Sequence, residues 1–143
     1  MAAARAMEAE ATALVSTSPV PVVVSSRCDI ALAAGAAGVN LPENDIPVVA
    51  ARALMGGRLV GRSVHSLESA LRAENEGADY VIFGPVWTSA SHPASAPAGI
   101  AALAEVAQAL RIPVLAIGGI TEERIAECHA AGAAGFAAIG LFA

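Results

Sequence analysis

Lysine is absent from this 143-residue sequence, and all eight of its basic residues are arginines. Schiff-base chemistry on a lysine amine is therefore excluded, and any anion must be held by arginine, histidine or backbone amides. The net charge is −5 and the arginines are scattered, so the basic footprint that nucleic acid or an anionic membrane requires is missing. Aromatic residues make up only 3% of a chain that is 56% hydrophobic, which leaves a core of Ala, Val, Ile and Leu, the palette of helices packed on buried strands. The two cysteines, Cys28 and Cys128, stand alone without metal-ligand or CxxC spacing and read as buried thiols of a cytoplasmic protein. No run approaches the ~18 apolar residues of a membrane span, and Glu8 and Glu10 interrupt what would be the apolar part of a signal peptide. A chain of this size hides roughly 70% of its unfolded surface, enough for one domain over residues 1–143.

Six short, nearly continuous apolar runs predict strands at Val22–Ser26, Gly38–Leu41, Leu59–Val64, Tyr80–Val86, Pro113–Ile117 and Phe136–Leu141. Continuity rather than alternation marks strands covered on both faces. Helical stretches follow at Asp29–Ala34, Val48–Met55, Leu67–Glu76, Ile100–Leu110 and Glu122–Ala131, with one more at Ala2–Leu14. The β-α-β-α order implies a parallel sheet. Gly35, Gly56, Gly77 and Gly132 each close a helix ahead of a strand, as a C′ glycine in the left-handed conformation does. Ser66 and Thr121 stand where N-cap oxygens belong, each followed by acids that suit a helix N-terminus.

Three segments carry candidate chemistry. Ala116-Ile117-Gly118-Gly119-Ile120-Thr121 runs a strand into two glycines and a capped helix, a geometry suited to phosphate, with Gly140 near the end of the following strand. The loop after Gly84-Pro85 holds Thr88, Ser89, Ser91 and His92, whose hydroxyls and imidazole can donate to an anion. Ser63 and His65 share one strand face by the two-residue period, but spacing places no acid to orient His65, so nucleophilic catalysis is not expected. Asp45, beside Glu43, has two readings: a magnesium ligand, or an N-cap for the helix beginning near Pro47. Arg124 and His129 read as helix-surface residues and Trp87 as packing.

The runs Gly61-Arg62-Ser63-Val64-His65-Ser66-Leu67-Glu68, Gly77-Ala78-Asp79-Tyr80-Val81-Ile82-Phe83-Gly84-Pro85-Val86 and Ala116-Ile117-Gly118-Gly119-Ile120-Thr121 together resemble the thiamine phosphate synthase and TenI family over about residues 20–143. The resemblance implies a (β/α)8 TIM-barrel type with about six parallel strands present and the first two missing; an open doubly wound sheet is the alternative fold. It implies a phosphorylated thiazole as ligand, with Gly118, Gly119 and Gly140 around the phosphate and Ser63, Ser89, Ser91 and Asn40 lining the pocket. Family synthases join a thiazole phosphate to a pyrimidine diphosphate with Mg²⁺; here Ser25-Ser26 stands in place of their Asn-Asp, and only Asp45 matches a metal acid. Ser89, Ser91 and His92 stand for their two threonines and lysine. The Arg-Ser-Val-His run resembles the TenI branch of metal-independent thiazole tautomerases, whose histidine after the sixth barrel strand falls on Pro85, leaving His65 or His92 as the catalytic proton carrier. Three expectations follow: first a TenI-like thiazole tautomerase without cofactor, second a degenerate thiamine phosphate synthase dependent on Mg²⁺ and Asp45, third a non-enzymatic incomplete barrel that binds phosphate. A homo-oligomer is the expected way to cover the open barrel edges.

Overall fold

The computed structural model describes residues 1–90 and 92–142. Six strands, β1 (Val23–Ser25), β2 (Gly38–Leu41), β3 (Leu59–Val64), β4 (Tyr80–Phe83), β5 (Val114–Ile117) and β6 (Gly135–Ala137), form one sheet in which every pair is parallel and the spatial order equals the chain order. A doubly wound sheet reverses its strand order at a switch point. This one never does. Right-handed crossovers that always advance in one direction keep their helices on one face and curl the sheet into a half-barrel. The helices are α1 (Ala2–Thr17), α2 (Cys28–Ala34), α3 (Val48–Met55), α4 (Leu67–Asn75), α5 (Ile100–Ala109) and α6 (Glu122–Ala130).

Side chains alternate across this sheet. Val39, Leu41, Val60, Val64, Val81, Phe83, Val114 and Ala116 are buried under the helices, where they join one continuous core with Met55, Leu103, Val106 and both cysteines. The opposite face carries Asn40, Ser63, Tyr80, Ile82 and Leu115, all half-buried, because the half-barrel leaves its interior open. Gly61 belongs to this inner face: a Cβ there would lie 2.1 Å from the Tyr80 ring, so glycine makes the room in which that ring sits.

The element bounds differ from the sequence expectation in two places that matter for the site. β4 ends at Phe83, since Pro85 has no N–H to give the ladder, and β6 ends at Ala137 rather than Leu141. The terminal glycines all have positive φ: Gly77 and Gly132, at φ 98 and 102, stand one residue past the C-caps Glu76 and Ala131, Gly35 is itself a left-handed C-cap with φ 68 and ψ 29, and Gly56 departs from that conformation by pairing φ 58 with ψ −127. Ser66 caps α4 through a reciprocal box with Ser69. Thr121 precedes α6 as expected, yet its hydroxyl makes no cap bond. Asp45 does not cap α3 either: the helix starts at Val48 behind Pro47, and the Val48 amide donates instead to Glu76 Oε2 at 2.9 Å from the end of α4.

Candidate functional site

A cavity of about 510 Å³ opens at the C-terminal ends of β3 to β6. Its wall takes Ser63 and His65 from β3 and the turn after it, Ser89 and His92 from the β4–α5 loop, Gly118 and Gly119 from the β5–α6 turn, and Gly140 from beyond β6. Of the ten residues to which the family resemblance gives a role, seven thus line one cavity. Ser91 lies outside the described residues. Asn40 sits one strand over, at the cavity's flank, and donates from Nδ2 to Ser63 Oγ at 3.1 Å; its Oδ1 is buried with no partner. Asp45 lies away from this cavity, on the β2–α3 loop beside a second, more polar cleft of about 380 Å³.

The glycine turn is built by crowding as well as by conformation. Gly118 and Gly119 have φ 99 and 67, and added Cβ atoms would come within 2.5 Å of Pro85 Cα and 2.7 Å of the Thr88 carbonyl oxygen, respectively. The turn therefore lies directly against the β4–α5 loop. The Val86 and Trp87 amides donate to the carbonyls of Ile117 and Gly118 at 2.9 and 3.0 Å, which extends strand pairing past the sheet. The carbonyl of Gly119 accepts from Arg124 Nη1 at 2.8 Å, and the same guanidinium lies 4.8 Å from the centroid of the Trp87 ring. Arg124 and Trp87 are thus more than surface and packing residues. Glu122 and Glu123 in the first turn of α6 oppose an anion at that helix end, and the Arg124 cation offsets them.

His65 has an acid neighbour after all. Its Nδ1 is 2.8 Å from the Gly84 carbonyl, which can only accept, so Nδ1 carries a proton and, in the neutral ring, Nε2 is the acceptor. Nε2 lies 3.8 Å from Glu43 Oε2, and the His65 amide donates to Glu43 Oε1 at 3.2 Å. Burial pushes the Glu43 carboxyl up, but the Ser69 hydroxyl, the His65 amide, the charge that His65 carries when protonated and the charge of Arg62 outweigh it and hold Glu43 below the usual carboxylate range. The contact joins residues 22 apart in sequence, so no local spacing announces it. Arg62, to which sequence reasoning assigned no role beyond its place in the Arg-Ser-Val-His run, is buried and donates to the carbonyls of Pro42 and Ile46 at 2.6 Å each, bracketing the loop that carries Glu43 and Asp45.

At the end of β1 the Ser26 hydroxyl donates to Asp45 Oδ2, while the Ile46 amide donates to Oδ1 at 2.7 Å. The Ser26 bond is the largest cause holding the Asp45 carboxyl below its ordinary value. Among the described residues no group of three or more His, Cys, Asp or Glu side chains could hold a metal ion.

A family model described as thiamine monophosphate synthase matches residues 2–142. The chain belongs to the thiamine monophosphate synthase family. It is 51% identical over 115 residues to a thiamine-phosphate synthase of Anaeromyxobacter dehalogenans, covering 79% of this chain and 52% of that protein. With a thiamine-phosphate synthase of Chloroflexus aurantiacus it shares 43% identity over 121 residues, 84% of this chain and 56% of that one. Among solved structures, the thiamine phosphate pyrophosphorylase from Pyrococcus furiosus superposes with a TM-score of 0.85 at 34% identity, over 96% of this chain and 67% of that one. The chain spans little more than half the length of these two curated relatives. Their names favour the synthase over the tautomerase that the Arg-Ser-Val-His run first suggested. No helix among the described residues is long and apolar enough to cross a membrane.

Proposed function

We propose that this chain supplies the thiazole-phosphate half of a thiamine-phosphate synthase site, holding that substrate for coupling to a pyrimidine diphosphate with loss of pyrophosphate. The observation that carries the reading is the 510 Å³ cavity, where Gly118, Gly119 and Gly140 face Ser63, Ser89 and His92 across four strand ends. Small residues admit a phosphate close to the backbone, hydroxyls and an imidazole donate to it, and the apolar Ile82 and Ile117 lining suits a flat heteroaromatic ring.

The synthase reading calls for Mg²⁺, and the residues present do not fit a resident ion. Asp45 is the one acid matched to it, both Asp45 oxygens already accept bonds, and Ser26 stands where a second carboxylate would be. Magnesium is held by one or two carboxylates together with substrate phosphates. The work assigned to this chain's own side chains is therefore to bind and orient the thiazole phosphate.

Titration calorimetry with the thiazole phosphate tests the proposal. Saturable binding that Gly119→Ala abolishes supports it; a folded chain that binds none overturns it. A second reading, the tautomerase, draws on the His65 geometry: an Nε2 acceptor beside Glu43 is an arrangement for taking a proton and stabilising the imidazolium that results. Aromatisation of the thiazole carboxylate phosphate without metal, lost in His65→Gln, would favour that reading. Coupling to the pyrimidine diphosphate only with Mg²⁺ would favour the synthase.

A further inference from the structure

We infer that Arg124 is a positioning residue that locks the Gly118–Gly119 turn to the β4–α5 loop through Trp87, making the two walls of the cavity one mechanical unit. The ligand named in part of its test rests on the phosphate reading above; the clasp itself does not.

Three successive carbonyls at the end of β5 are taken from the same neighbourhood. Ile117 and Gly118 accept from the amides of Val86 and Trp87, and Gly119 accepts from Arg124 Nη1. The guanidinium continues the ladder where backbone pairing stops. Its central carbon lies over the Trp87 ring, 4.8 Å from the centroid, while Nη1 donates to Gly119. A planar cation can do both at once; an ammonium cannot. The charge is not spent elsewhere: among the described residues, Arg124 forms no salt bridge to Glu122, Glu123 or Glu127, whereas Arg27, Arg52 and Arg72 each pair with an acid. Packing makes the connection stiff, because a Gly119 Cβ would meet Trp87 Cβ at 2.8 Å and the Thr88 carbonyl oxygen at 2.7 Å. Arg124 does not itself line the cavity, so its influence on a bound anion passes through the turn and the loop.

The test uses the full chain and the variants Arg124→Met and Arg124→Lys. In the free protein, hydrogen exchange at the Val86 and Trp87 amides is expected to rise about tenfold in Arg124→Met, with β1 to β3 unchanged. Arg124→Lys, which keeps the charge and loses the fork, is expected to fall between. Exchange that rises only within α6 would overturn the clasp. Trp87 is the sole tryptophan, so its emission reports on this contact directly and is expected to differ between wild type and Arg124→Met. Following that emission, titration with inorganic phosphate and with the thiazole phosphate is expected to show roughly tenfold weaker binding in Arg124→Met. Equal binding by wild type and Arg124→Met would overturn the inference. If wild type binds neither probe, the phosphate reading falls while the exchange experiment still decides the clasp. Should Arg124→Met fail to fold, Trp87→Leu removes the stack but keeps the Arg124–Gly119 bond, and its exchange pattern decides in its place.

Discussion

Ser26 holds φ +68, a left-handed backbone that is uncommon for a residue other than glycine, and from there its hydroxyl reaches Asp45. Asparagine and aspartate tolerate that conformation better than serine, so Ser26→Asp fits the backbone and brings a second carboxylate against the first. Without metal, the like charges raise the Asp45 pKa and lower the melting temperature. With millimolar Mg²⁺ the variant is expected to regain stability and to bind the ion saturably by calorimetry, which wild type does not. Mg²⁺ binding of equal strength in both would show that Asp45 suffices. Removing the hydroxyl tests the same pair by pH. Because Ser26 depresses the folded-state Asp45 pKa, the pair contributes stability above the unfolded value of about 4 and loses it as pH falls through the folded value. Ser26→Ala is therefore expected to lower stability at pH 7 and to flatten its decline below pH 4, read from denaturant midpoints across that range.

Successive β-α units are joined by acids that cap neighbouring elements. Glu76, at the end of α4, accepts from the first amide of α3, and Glu74 Oε1 accepts from the amides of Arg111 and Ile112, at 2.6 and 3.1 Å, where the chain enters β5. Asp79 likewise takes the Val60 amide at 2.8 Å together with the Arg52 guanidinium. Glu74→Ala leaves two amides without their acceptor and is expected to cost about 1–3 kcal/mol by urea denaturation. Ser66→Ala, which removes a single local cap, is expected to cost about 1 kcal/mol. A Glu74→Ala loss no larger than that of Ser66→Ala would show that water replaces the carboxylate. These two kinds of cap mark what the sequence reveals. The bounds of α3 and the Ser66 cap of α4 are local, written in apolar continuity and one hydroxyl, and they are legible. Glu74, Glu76, Arg62 and the Glu43–His65 pair act across 16 to 38 residues, where no periodicity points. The cavity shows the same division. Its glycines and hydroxyls could be read off as strand-end motifs, while the Arg124–Trp87 stack depends on how two loops fold back on each other.

At the scale of the molecule the half-barrel has two open flanks. β1 and β6 each have one hydrogen-bonded neighbour, and the inner face with Tyr80, Ile82 and Leu115 is only partly covered. The accessible surface is 7959 Å², against roughly 6,800 Å² for a compact monomer of this mass. Ile139 and Phe142, exposed by 74% and 75%, stand beyond the β6 edge. An unpaired edge beside apolar side chains is a template for another strand. The isolated chain is therefore expected to self-associate through these edges, with an apparent mass that rises with concentration in sedimentation velocity. Lysine on an edge strand opposes such pairing, because a second strand would have to bury or displace its charge. Val23→Lys on β1 is accordingly expected to shift the chain toward monomer while leaving the far-UV circular dichroism unchanged. A wild-type chain that remains monomeric over the whole concentration range would mean that the half-barrel protects its edges by itself; a Val23→Lys variant that associates as strongly as wild type would place the contact elsewhere than at β1.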